Sequence, residues 1–261
     1  MLLENKNAII YGGGGSIGGA VGRTFAAEGA HVFLAGRTKE TLDLVAKDIA
    51  QAGGVADVAV LDALDEHAVD EHARAVAAEA GSIDVSFNLV PRGDVQGVPL
   101  VEMSTTDLTR AVTTGVTTNF ITARAAARQM IQQGSGVILA LDSGSAKGQT
   151  PMMGSTSPAD AAVDSLVAGL ATELGPHGIR VVGIWAGGIP ETLTPEKLAA
   201  VNSAMQLDDE GLQAVIKTLD EMRILPRSPR LSEIADTAAF LASERAGAIT
   251  GSFINATAVH V

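Results

Sequence analysis

The sequence predicts an α/β fold: one doubly wound, mainly parallel sheet of about seven strands with helices on both faces. Three observations carry that prediction. A short apolar run ending in Ile9 and Ile10 meets four consecutive glycines, Gly12 to Gly15, and a helical repeat then follows through Ala20, Val21 and Phe25. Apolar strand-like runs and helix-like stretches go on alternating to the end of the chain, as βαβ crossovers require. Hydrophobic residues make up 46% of the 261 residues but aromatics only 3%, so the core rests on Ala, Val, Leu and Ile, as under a parallel sheet.

The first strand, turn and helix suit an anion. Glycine admits positive φ and close approach to the main chain, while the free N–H groups at a helix start carry positive potential. Ser16 is expected either to cap this helix or to donate its hydroxyl to a phosphate. Such a turn fits a dinucleotide pyrophosphate. The second strand, residues 30–37, ends in Gly36-Arg37. An NAD-binding chain usually carries an acid there for the ribose hydroxyls, whereas Arg37, followed by Thr38 and Lys39, suits a 2′-phosphate and therefore NADP(H) over NAD(H).

The remaining elements follow in order. A helix is expected from Thr41 to Gln51, stopped by Gly53-Gly54, and then a third strand over 55–61 that ends at Asp62. Asp65 caps a helix to about Ala80, and the fourth strand covers 83–90. Ser104 opens a long helix to Gln133; the fifth strand is 136–142, and a polar loop from Ser143 to Ser157 leads into a helix over 158–173. The sixth strand is 178–185. Residues 186–230 form an insertion expected to lie over the carboxyl edge of the sheet as a lid, within a single domain spanning 1–261. A helix over 232–242 and a strand over 252–256 close the chain.

Composition excludes several functions. The net charge of −12 leaves no basic stripe for a nucleic-acid backbone. The absence of cysteine removes disulfides, thiolate chemistry and cysteine zinc sites, and the scattered histidines His31, His67, His72, His177 and His260 point away from a metal centre. The first six residues do not read as a signal peptide, and no apolar run reaches the ~20 residues that span a bilayer. A cytoplasmic protein acting on a small molecule, without membrane or nucleic-acid partners, is the expectation.

Together, Tyr11-Gly12 with Ser16-Ile17-Gly18, the run Ala26-Ala27-Glu28-Gly29-Ala30-His31-Val32, the run from Glu173 to Val181, and Ile249-Thr250-Gly251 resemble the short-chain dehydrogenase/reductase family over nearly the whole length. Serine in place of the middle glycine is similar to the enoyl reductase branch. The resemblance implies a Rossmann-like domain holding a nicotinamide dinucleotide through Gly12, Gly15, Ser16, Ile17 and Gly18, with Asp62 and Ala63 by the adenine. It places Asn88 at the first asparagine of the family's Asn-Asn-Ala-Gly, and Gly187, Ile189 and Thr192 by the nicotinamide amide. It also implies a homo-oligomer, a tetramer or dimer, although Thr257-Ala258-Val259 replaces the Asp-Gly-Gly expected after the last strand.

The family reduces carbonyls with serine, tyrosine, lysine and asparagine. Aligned on Leu141-Asp142-Ser143, Ser143 keeps the serine position, while Thr156, Asp160 and Gly115 stand where tyrosine, lysine and asparagine belong. An aliphatic hydroxyl is a much weaker acid than a phenol, and a neighbouring carboxylate opposes its ionisation. The only tyrosine is Tyr11, beside the glycine turn; Lys147 is the nearest lysine, in a loop. Asp160 is expected on the side of Thr156, either accepting from ribose hydroxyls or serving as helix N-terminal charge.

Two functions compete. One is an NADP(H)-dependent oxidoreductase for a small carbonyl or enoyl substrate, with catalysis impaired or altered and the proton coming from Ser143, Lys147, water or the substrate. The other is a non-redox protein of the same fold, either a binding or scaffolding subunit or an isomerase, cyclase or lyase using Asp142, Ser143, Ser155, Thr156, Ser157 and Asp160.

Overall fold

A computed structural model describes residues 1–148 and 150–259. Seven parallel strands form one sheet in the order β3-β2-β1-β4-β5-β6-β7. They are β1 (Asn7–Tyr11), β2 (His31–Gly36), β3 (Val55–Val60), β4 (Val85–Asn88), β5 (Gly136–Asp142), β6 (Ile179–Trp185) and β7 (Phe253–Asn255). The order reverses between β1 and β4, the place where an open α/β sheet leaves a crevice at its carboxyl edge.

Helices α1 (Ser16–Ala27), α2 (Lys39–Gln51) and α8 (Leu231–Ala242) cover one face through Val21, Phe25, Leu42, Val45 and Ile234. Helices α3 (Glu66–Ala80), α4 (Thr105–Gln133) and α5 (Thr156–Leu174) cover the other through Val69, Ile121, Met130, Val163 and Val167. Each buried aliphatic side chain contributes roughly 1.5–3 kcal/mol, so two such layers hold the sheet without aromatic bulk. Two short helices, α6 (Pro195–Val201) and α7 (Asp209–Glu221), fall within 186–230.

The caps expected at Asp65 and Ser104 are present: Asp65 accepts from the N–H groups of His67 and Ala68, and Ser104 from that of Asp107. Ser16 does not cap α1. The N-cap is Gly15, without any side-chain bond, and Ser16 is the first helical residue.

Two boundaries also move. The fourth strand is shorter than 83–90 because side-chain amides take over its ends: Gln133 brackets the backbone of Ile83, and Asn88 Oδ1 accepts the Val90 N–H. Helix α5 starts two residues before Pro158, whose missing N–H costs nothing in a first turn. That earlier start places Thr156 and Asp160 one helical turn apart at the carboxyl edge of β5.

Candidate functional site

The glycine turn is shaped by steric necessity. Gly12 has φ +78°, and a Cβ there would stand 2.6 Å from the Leu89 carbonyl oxygen; at Gly18 it would stand 2.1 Å from that of Gly12. Beyond the turn lies a cleft of about 260 Å³ lined by Gly12, Gly15, Gly36, Arg37, Asp62 and Ala63, over the ends of β1, β2 and β3. Asp62 Oδ1 accepts the Leu64 N–H, which fixes this wall. Arg37 is exposed at the rim and forms no ion pair among the described residues, whereas Lys39 is tied to Asp43.

This end fits a dinucleotide. The cleft has an uncapped helix start on one side and an unengaged guanidinium on the other, and neither has an anion of the protein's own to meet. Gly12, Gly15, Ser16, Ile17 and Gly18 would hold its phosphates, and Asp62 and Ala63 its adenine.

A second cavity of about 360 Å³ shares the wall Leu89, Val90 and Pro91 with the first and is lined by Ile17, Asn88, Arg92, Asp142, Ser143 and Thr156. Asn88 is buried and engaged, donating from Nδ2 to Thr118 Oγ1 at 3.0 Å. Gly187 gives its carbonyl to Arg223 at 3.0 Å, Ile189 is buried, and the Thr192 hydroxyl turns back on the Ile189 carbonyl at 2.9 Å. Residues 186–230 reach over this cavity, where Val201 lines it and its carbonyl accepts the Gln96 N–H at 2.8 Å.

At the floor sits Asp160, completely enclosed. Its oxygens accept from Ser143 Oγ at 2.6 Å, Ser145 N at 2.9 Å, Ser145 Oγ at 2.8 Å and Arg92 Nη2 at 2.8 Å. The carboxylate is enclosed and already holds four donors, so ribose hydroxyls do not reach it, and it lies beyond the first turn of α5, which holds no acid, so helix N-terminal charge does not describe its role. The hydroxyl of Ser143 is thereby spent on a protein acceptor. Thr156 is buried in the same cavity and accepts from Gln96 Nε2 at 3.0 Å, so its own O–H proton is left to donate.

Arg92 is the residue that sequence reasoning missed. It enters from the loop after β4, its side chain 13% exposed, and binds Asp160 and Asp94. Its path runs over Gly115, where a Cβ would stand 2.7 Å from Arg92 Cδ. Arg92, Gly115 and Asp160 are thus one arrangement: the small residue on α4 makes room for a guanidinium that neutralises the acid on α5. A buried glycine inside a 29-residue helix was the available signal.

Of the other acid–base candidates, Tyr11 and Lys147 lie outside this cavity, and Asp142 lines it. Tyr11 is fully buried against His72 of α3, ring centroids 6.3 Å apart, and burial, helped by the charge of Asp70, pushes its phenol well above the ordinary value. Lys147 pairs with Asp164 at 3.5 Å, on the side where Trp185 Nε1 donates to the same carboxylate at 3.2 Å. Asp142 is buried at the end of β5, with Oδ1 accepting the Gly144 N–H at 2.9 Å and Oδ2 without a partner among the described residues. Burial first, then the nearby Asp160, push its carboxyl up to about 8, against the opposing pull of the Gly144 N–H. No group of three or more His, Cys, Asp or Glu side chains among the described residues is arranged to hold a metal; His260 lies outside them. No described helix is long and apolar enough to cross a membrane.

Known proteins carry the same frame. The chain is 30% identical over 259 residues to the 7alpha-hydroxysteroid dehydrogenase of Escherichia coli, covering 97% of this chain and 93% of that one. It is 29% identical over 249 residues to the gluconate 5-dehydrogenase of Gluconobacter oxydans, covering 95% and 92%. The crystal structure of an NAD+-bound xylitol dehydrogenase superposes with a TM-score of 0.88 at 25% identity, covering 99% of this chain and all of that one. A family model described as enoyl-(acyl carrier protein) reductase matches residues 13–257. With the switch-point crevice, the glycine turn and this match over nearly its full length, the chain belongs to the short-chain dehydrogenase/reductase family of oxidoreductases, whose fold binds a nicotinamide cofactor.

Proposed function

We propose that this protein is an oxidoreductase that binds NADP(H) in preference to NAD(H) and acts on a small carbonyl or enoyl substrate, with an altered proton step. The observation that carries the reading is Arg37, a cation without an ion pair among the described residues, at the rim of the adenosine cleft whose Asp62 has one carboxylate oxygen turned to the Leu64 N–H. The cofactor supplies hydride transfer when bound. The chain's own residues confine the ligand between Asn88, Thr156 and Ala186, and residues 186–230 serve as the lid that keeps water out. Thr156 offers its hydroxyl proton as a hydrogen bond to a ligand oxygen, and Ser143, its proton held by Asp160, presents lone pairs.

The commitment of Ser143 to Asp160 favours a second reading, in which the pocket binds or isomerises a ligand without hydride. Titration with NADPH and NADH, followed by the fluorescence of Trp185 at the end of β6, tests the cofactor. Saturation by NADPH at a concentration at least about tenfold below that for NADH is expected. Turnover of ketone and enoyl substrates, lowered by Ser143→Ala, separates the two readings; conversion without any nicotinamide cofactor would favour the second. We further propose a homo-oligomeric, cytoplasmic protein, with sedimentation of the purified chain as the check on assembly.

A further inference from the structure

The start of α1 carries an unusual neighbour. Lys197, on α6 and 181 residues away in sequence, donates from Nζ to Ser16 Oγ at 2.8 Å and to the Thr192 carbonyl at 3.1 Å. Both acceptors are neutral, and an ammonium has three N–H donors, so one is left over. No carboxylate pairs with Lys197 among the described residues. Of the acids nearest in sequence, Glu191 faces Arg230, and Glu196 forms no ion pair among the described residues.

This placement runs against the local field. A helix start is positive, so it favours anions and disfavours cations. Here α1 has no acidic residue in its first turn and no side chain capping it, and a lysine is nonetheless held over it. Lys197 is exposed, and its remaining N–H is free to meet an anion that occupies the helix start.

We infer that Lys197 is a ligand of the cofactor's pyrophosphate, clamping it from the side opposite the glycine turn and tying the segment that carries α6 to the presence of the dinucleotide. The inference rests on the cofactor reading above. Once a diphosphate is present, Nζ trades its bond to Ser16 for charge-assisted ones to phosphate oxygens, and Ser16 is released to donate as well. The Thr192 carbonyl keeps the lysine beside Ser16 at the start of α1. The carbonyl of Val201, at the end of the same helix, holds the Gln96 N–H at 2.8 Å. The clamp therefore links the phosphate turn to the loop that carries Arg92.

Calorimetric titration of the full chain tests this with two probes, NADPH and adenosine 2′-phosphate, which keeps the Arg37 contact but lacks the diphosphate. Lys197→Gln is expected to weaken NADPH binding about tenfold and leave adenosine 2′-phosphate within twofold; Lys197→Arg is expected to restore most of the loss. The NADPH difference is expected to shrink with added salt, as for any exposed charge pair. In limited proteolysis, NADPH protects residues 193–208 of the unaltered chain and not of Lys197→Gln. Unchanged NADPH affinity in Lys197→Gln, or equal losses for both probes, overturns the clamp while leaving the cofactor reading intact. Failure of the unaltered chain to bind NADPH removes the cofactor reading and the clamp with it.

Discussion

The two ends of the cleft share one wall and treat their polar groups in opposite ways. At the phosphate turn the donors stand open: α1 lacks a cap, Arg37 lacks a carboxylate, and Lys197 has only neutral partners. Around Asp160 the protein supplies the partners itself, with Arg92, Ser143 and Ser145 converging on one enclosed carboxylate and only Arg92 Nη1 of these donors left without a partner among the described residues. Groups left open at a surface cleft wait for a ligand, whereas a closed network fixes a conformation. The phosphate end therefore stays available to a ligand, and the other end commits the Ser143 hydroxyl to structure.

Three measurements bear on that contrast. The largest effect is expected from Arg92→Met. It leaves the buried Asp160 charge without its cation, a loss of about 3–5 kcal/mol in unfolding free energy that urea denaturation reads directly, and a second change, Asp160→Asn, should recover much of it. If Arg92→Met costs no more than a surface substitution, the network is not structural and the contrast fails. Next comes Arg37→Ala, expected to weaken NADPH about tenfold while leaving NADH and the denaturation curve unchanged. Equal losses for both nucleotides would mean the guanidinium does not read a 2′-phosphate.

The effect of Asp142→Asn depends on pH and is smallest near pH 4. The Asp142 carboxyl titrates at about 8 in the folded chain against an ordinary 3.8. Between those values the folded state keeps a proton that the unfolded chain has lost. Stability therefore falls as pH rises through the window and levels off above about 8. Asparagine has no such proton, so the variant should gain on the parent by on the order of 1 kcal/mol per pH unit inside the window and hold that lead above it. A parent and variant whose midpoints run parallel from pH 4 to 8 would show that Asp142 is ionised in the folded protein.

The sequence made the frame readable because strands, turns and caps are local. Asp65 and Ser104 announce their helices by side chains two or three residues from the N–H groups they serve, and the glycine turn by positions where a Cβ cannot fit. It also singled out Thr156 and Asp160, which the structure sets one helical turn apart, and Gly115, which lies under the Arg92 side chain. What it could not give is the compensation, since Arg92 meets Asp160 across 68 residues and Lys197 meets Ser16 across 181. Nothing in the immediate neighbourhood of an arginine or lysine tells which distant acid or helix end it will face. Ser16 shows the same limit on a small scale: its type suits a cap, yet the turn's geometry gives that place to Gly15.

The passage of the Arg92 side chain over Gly115 bears on redesign. A lysine placed at 160 would meet a guanidinium in a closed space, and a larger side chain placed at 115 would strike its methylene chain. Neither can be introduced first; the arginine has to leave before either. Rebuilding this corner one codon at a time therefore has a fixed order, as in a ratchet whose pawl is a single side chain.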